Sequence, residues 1–160
     1  MIDACVVWPN GSGGIGVGSY AKGFDADEAA IDELVRRHVP PGTSHMVMTK
    51  TSFKTAVGDR TFREAWECDN DATPALVRVN MPKARGIHMN KIRVVRDAEL
   101  GKKDVTFMRA VEAGDTSSQS TIATEKQTLR DIPQTFDLTT DNDTPVELQA
   151  RWPSELPARE

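Results

Sequence analysis

The residues Pro9-Asn10-Gly11-Ser12-Gly13-Gly14 follow directly on an apolar, β-branched run from Ile2 to Trp8, and no regular element continues through them. The chain has to turn back there. Beyond the turn, Ile15 and Val17 alternate with Gly16 and Gly18 up to Tyr20, the pattern of a second strand whose glycine face is closely approached. The start therefore predicts a β-hairpin. Gly11-Ser12-Gly13-Gly14-Ile15-Gly16 also spells the dinucleotide-binding fingerprint, which needs its third glycine inside an opening helix that meets the pyrophosphate. Here Val17-Gly18-Ser19-Tyr20 continues extended, and Pro40 comes too soon for a second parallel strand. The reading is a hairpin turn, and no cofactor is expected.

From Asp25 the period changes. Ala30, Ile31, Leu34, Val35 and His38 recur at helical spacing, with Asp25, Asp27 and Glu28 at the positive end of the dipole and Arg36 and Arg37 at the negative end. Pro40-Pro41-Gly42 stops this helix by Val39. A strand over Ser44 to Thr49 follows from alternation, and Lys50 to Asp59, without a clear period, is expected to be loop. Asp59 to Trp66 reads as a single helical turn or an irregular clamp; Phe62 and Trp66 are four apart and share a face if it is helical. Asp69-Asn70-Asp71 then closes a first lobe of residues 1–72.

Residues 73–160 read as mainly helical. Asn80 caps a helix with Pro82 in its first turn and an apolar stripe of Met81, Ala84, His88, Ile92 and Val95. Gly101 is expected to interrupt it, and Asp104 to restart a helix whose Val105, Met108 and Val111 mark one face before Gly114 stops it. Thr116 or Ser117 caps the next helix, which passes Ile122, Leu129 and Ile132 and breaks at Pro133. Thr144-Pro145-Val146-Glu147 is a capping box for a short last helix carrying Leu148 and Trp152 and ended by Pro153. The fold class is therefore α+β: a β-hairpin and helix lobe followed by a helical hairpin or small bundle.

Composition limits what such a chain does. The 160 residues carry a net charge of -4 with basic residues dispersed among acids, which leaves no footprint for nucleic acid. No run approaches the roughly 20 apolar residues of a membrane helix, and Met1 to Gly11 lacks the form of a signal peptide, so no membrane role is expected. Cys5 and Cys68 stand apart and suit a reducing compartment. Neither they nor His38, His45 and His88 are spaced as metal ligands, and no metal is expected. No G-x-S-x-G or comparable signature accompanies the serines, and no acid pair sits in an apolar setting, so no catalytic residues are assigned and the chain reads as a non-enzyme. Trp8, Trp66 and Trp152 each lie beside a turn or helix end, either locking lobe boundaries or anchoring a partner, with Arg60, Arg63 and Arg130 as a rim.

The succession PNGSGGIGVG, HVPPGTSHMVM, DRTFREAWECD and KARGIHMNKIRVVRDAEL resembles small bacteriophage proteins encoded beside tail fibre genes. The segment FMRAVEAGDTSSQSTIATEKQTLRDIP, followed by ARWPSELP, is similar to the C-terminal helices of phage tail assembly chaperones and tail fibre assembly proteins, where K-Q-x-L-R-D-I-P precedes a W-P ending. The chain departs from that pattern in the stretch Thr135 to Asp143 and in Lys50 to Asp59. The resemblance implies a protein that binds a tail fibre or adjacent tail protein, as an assembly chaperone or fibre-associated accessory protein. The alternative is a stoichiometric structural component of the virion tail, an adaptor or attachment subunit. It also implies residence in the host cytoplasm during assembly or retention in the tail, there as an oligomer. Carried over by matching strings, the partner-binding positions are Asp59, Arg60, Thr61, Phe62 and Trp66; Leu129, Arg130, Asp131, Ile132 and Pro133; and Trp152 and Pro153.

Overall fold

The computed structural model describes residues 3–20, 27–69, 76–139 and 144–159. The expectations placed on Ile2, Asp25, Asn70, Asp71 and residues 140–143 lie outside the described residues. The chain has the α+β class and forms two compact units, Met1–Ala84 and Arg85–Glu160.

In the first unit, β1 (Ala4–Pro9) is the centre of an antiparallel sheet, flanked by β2 (Ile15–Ser19) and β3 (Met46–Thr49). Ala4, Cys5, Val6 and Val7 are all buried. Val6 packs with Leu34 and Val39, surrounded by Trp8, Tyr20, Ile31 and Val35, while Cys5 reaches the opposite side, where it shares a cleft with Phe53 and Trp66. A strand covered on both faces has no solvent side to keep polar, which is why its sequence is a continuous apolar run. α1 (Glu28–His38) supplies Leu34 and is capped by Asp27, whose carboxylate accepts from the Ala30 amide at 2.8 Å.

The turn between β1 and β2 is held by one side chain. Asn10 Oδ1 accepts from the Ser12 amide, the Ser12 hydroxyl and the Gly14 amide at 3.1, 2.8 and 3.0 Å, and Gly11 and Gly13 take φ of 74° and 80°. Such values favour glycine. Gly16, the third glycine of the fingerprint, therefore lies in a strand opposite Trp8. A Cβ there would sit 2.3 Å from Trp8 Cε2, so the indole packs on bare backbone.

Residues Lys50–Val57, expected to be loop, form α2. Thr49 Oγ1 accepts from the Ser52 amide at 3.0 Å to start the helix, and Gly58, at φ 70°, ends it. An eight-residue helix that buries only Val57 and half-buries Phe53 and Ala56 is too short for its period to register. Arg60–Ala65 makes a 3-10 turn, and Trp66 opens β4 (Trp66–Asp69) rather than sharing a helix with Phe62. β5 (Leu76–Val79) pairs antiparallel with β4, so the sheet-bearing part extends past residue 72, where helical structure was expected. Glu67 ties this hairpin to the next element: its carboxylate accepts from Asn80 Nδ2 at 2.8 Å and Arg78 Nε at 2.7 Å, and these bonds lower its pKa.

α3 (Met81–Glu112) is capped by Asn80, whose Oδ1 accepts from the Lys83 amide at 3.0 Å. It is one helix of 32 residues and runs straight through Gly101, where an interruption was expected. A glycine inside a helix costs about 1 kcal/mol relative to alanine, which packing overrides. Gly114 supplies the expected stop, here at the end of α3: its amide donates to Val111 and that of Asp115 to Ala110, both at 3.0 Å, the paired bonds of a Schellman motif. The cap of α4 (Thr116–Thr135) is Asp115, not Thr116 or Ser117, its carboxylate accepting from the Ser118 amide at 3.0 Å. α4 also contains Pro133, where a break was expected. The proline removes one bond in the last turn, but the Phe136 amide still reaches Ile132 at 2.8 Å and Ile132 itself is buried.

α3 and α4 run antiparallel, joined by Lys103–Glu125 at 2.7 Å, Asp104–Lys126 at 2.5 Å and the Gln119 amide on the Ala110 carbonyl at 3.2 Å. α5 (Pro145–Ala150) has the expected capping box between Thr144 and Glu147, and buries Leu148. Trp152 lies beyond its end rather than on it.

Gly16→Ala should destabilise the chain by about 1–3 kcal/mol in urea unfolding, because the Trp8 ring must move. Gly18→Ala, whose Cβ would meet Leu34 Cδ2 at 3.3 Å, should cost less. Equal losses at the two positions would show that Trp8 does not pack on Gly16.

Candidate functional site

A cleft of about 510 Å³ opens on the first unit between β2, α2 and the 3-10 turn. Its floor is apolar, from Ile15, Val17, Phe53 and Trp66. Phe53 meets Trp66 edge-on, with ring centroids 5.3 Å apart, which fixes the floor. Its rim carries Lys50, Lys54, Arg60 and Arg63 against a single carboxylate, Asp59. Asp59 spends one oxygen on the Thr61 amide at 2.8 Å, and Lys50 is held by Asp3 at 2.6 Å and by the Tyr20 carbonyl at 2.9 Å. Lys54, Arg60 and Arg63 make no ion pair among the described residues. Arg63 also borders a smaller hollow beside the Asn10–Gly14 turn, together with Lys83, whose ammonium donates to the Gly13 carbonyl at 3.2 Å.

The geometry suits an extended anionic group with an apolar portion. Unpaired guanidinium groups offer planar, paired donors to a carboxylate, and the aromatic floor takes the apolar part. Cys5 borders the cleft, but burial pushes its thiol up to about 11, so it is not a thiolate at neutral pH. Burial likewise raises Cys68.

The sequence-derived positions divide between surface and interior. Arg60 stands at the cleft rim; Phe62 and Trp66 are buried, at 1% and 6% exposure, and Asp59 and Thr61 are bonded to one another. In α4, Leu129 and Ile132 are buried and Arg130 is exposed. Asp131 accepts from Gln127 at 2.8 Å, and Pro133 is half-buried. Pro153 is fully buried, and Trp152 is engaged within its own unit: its Nε1 donates to the Pro157 carbonyl at 2.9 Å while the Arg159 guanidinium lies 4.8 Å over its ring. Most of the strings therefore supply core and locking residues. Lys54 escaped the sequence reading because α2 did; the signal for both is Lys50–Lys54 and Phe53–Val57, each four apart, behind Thr49.

His88 is the one buried polar residue among those described. Its Nε2 donates to the Arg151 carbonyl at 2.7 Å and its ring lies 6.1 Å from that of Trp152, so it anchors the C-terminal segment of its unit. Among the described residues no group of three or more His, Cys, Asp and Glu could hold a metal ion, and no helix is long and apolar enough to cross a membrane. Comparison with protein-family models, curated proteins and solved structures finds no match.

Burial holds the His88 imidazole below its ordinary value of 6.5. The unfolded chain therefore takes up a proton before the folded one does, and stability falls as pH drops below about 6.5. The slope should reach at most about 1.4 kcal/mol per pH unit. Urea unfolding at pH 7.5 and pH 5.5 should show this loss, and His88→Gln should flatten it. An unchanged slope in the variant would assign the loss elsewhere.

Proposed function

We propose that the chain is a non-enzymatic binding protein of a bacteriophage tail module, a tail fibre assembly chaperone or fibre-associated accessory protein. It works by holding an acidic, partly aromatic segment of a tail fibre or neighbouring tail protein in the cleft of the first unit. The observation that carries the binding role is the set of three cations, Lys54, Arg60 and Arg63, left without ion pairs around an aromatic floor. In a chain of net charge -4, three cations without ion pairs gathered on one apolar cleft are a recognition feature, whereas Arg36, Arg37, Lys102 and Lys103 are paired within the chain. The assignment to a tail module is supported by the resemblance that the strings DRTFREAWECD and KQTLRDIP carry; the first contributes Asp59, Arg60, Arg63 and Trp66 to the cleft, and the second contributes Leu129 and Ile132 to the buried side of α4. The alternative, a permanent virion component, uses the same surface with a longer-lived partner.

Co-expression with the product of the adjacent tail fibre gene should recover a complex. Arg60→Glu with Arg63→Glu should weaken it about tenfold or more while leaving the melting temperature unchanged, because both side chains are exposed. Phe62→Ala, by contrast, should lower stability by about 3–5 kcal/mol. A double variant that binds like the parent would remove the cleft from the account. Mass spectrometry of purified particles separates the two readings: absence defeats the structural component, and fibre stoichiometry defeats the transient chaperone.

A further inference from the structure

α3 is apolar on two opposite faces. One face, through Phe107 and Ala110, meets α4, as the cation–π contact of Lys126 over Phe107 at 5.1 Å and the Gln119 bond to Ala110 show. The other carries Val94, Ala98, Gly101, Val105 and Met108, spaced four, three, four and three, and every one of them is exposed. Val94 is 70%, Val105 53% and Met108 56% exposed. Single exposed valines are ordinary on a protein surface; five successive positions in heptad register, about 21 Å long, form a coiled-coil seam.

We propose that this seam pairs with its own copy, so that two chains associate through parallel, in-register α3 helices. Charge complementarity selects both the occupant and its direction. Asp97 and Asp104 border one flank of the seam, and Lys102 and Arg109 border the other, each cation five residues after an acid. That is the spacing at which flanking residues of two parallel helices meet across a heptad seam, so a dimer makes Asp97–Lys102 and Asp104–Arg109 pairs twice over. An antiparallel dimer would set acids against acids and cations against cations. Asp97, Lys102 and Asp104 already touch Arg96, Glu99 and Lys126 in their own chain, yet their side chains remain 62%, 71% and 60% exposed. Arg109 makes no ion pair among the described residues. Ala98 and Gly101 at the middle of the seam let the two backbones approach closely.

Sedimentation velocity on the full chain across a concentration series should show reversible monomer–dimer association. Asp97→Lys should weaken the dimer about tenfold, since two exposed pairs change sign. Asp97→Lys combined with Lys102→Asp should restore it. These positions are exposed, so circular dichroism should report the same helix content in each variant. A parent protein that stays monomeric at every concentration overturns the proposal, as does association that the single reversal leaves unchanged. Tighter association of Asp97→Lys would mark antiparallel pairing and overturn the parallel assignment.

Discussion

Lys126 of α4 makes two contacts to α3, one to the Asp104 carboxylate and one to the face of the Phe107 ring, and both lie just past Gly101. Together with Lys103–Glu125 they fasten α4 to the segment of α3 that a lone helix would be most ready to open. Glycine at position 101 lacks any side chain to shield its backbone, and its entropic cost is of the same size as one or two such contacts. The hairpin therefore keeps α3 in one piece by gripping it beyond the weak point. Once α3 is continuous, the positions Val94 to Met108 line up on one side, and the seam exists. If α3 broke at Gly101, Val94 and Met108 would point in unrelated directions.

The first unit depends on a comparable economy around β1. Its two buried faces serve two different layers, α1 on one side and the floor of the cleft on the other. Trp8 lies flat on the glycine backbone of β2, which leaves α1 room to close over it. The opposite face supports Phe53 and Trp66, so the cleft has an aromatic floor beneath exposed cations that make no ion pair among the described residues. A hydrophobic base with charged rim groups is the form in which exposed arginines contribute specificity more than stability.

Where the sequence carried a long period or a sharp punctuation mark, it was legible. The Asn10–Gly14 turn, α1 with its Pro40-Pro41 stop, the Asn80 cap, the Gly114 stop and the Thr144–Glu147 capping box are all local devices whose geometry is written in a few adjacent residues. The misses have other causes. α2 is too short to show its period, and β4 and β5 are four residues each and pair only with one another. Gly101 and Pro133 signal breaks that packing overrides, since the contacts that hold α3 and α4 together join residues 9 to 22 positions apart, beyond the reach of a local pattern. Of the site, Arg60 and Arg63 were legible as rim arginines near Trp66 in the sequence, and both line the cleft. Phe62, Leu129, Ile132 and Pro153 were read as surface because matching strings do not distinguish residues kept for the core from residues kept for a partner.

Continuity of α3 at Gly101 is the point on which the second unit turns, and amide hydrogen exchange reads it directly. The amides of residues 101–105 should exchange as slowly as those of residues 92–96, since both sets are bonded within one helix. Fast exchange confined to residues 101–105, with slow exchange on either side, would mean two helices joined at Gly101, and would remove both the long helix and its outer seam.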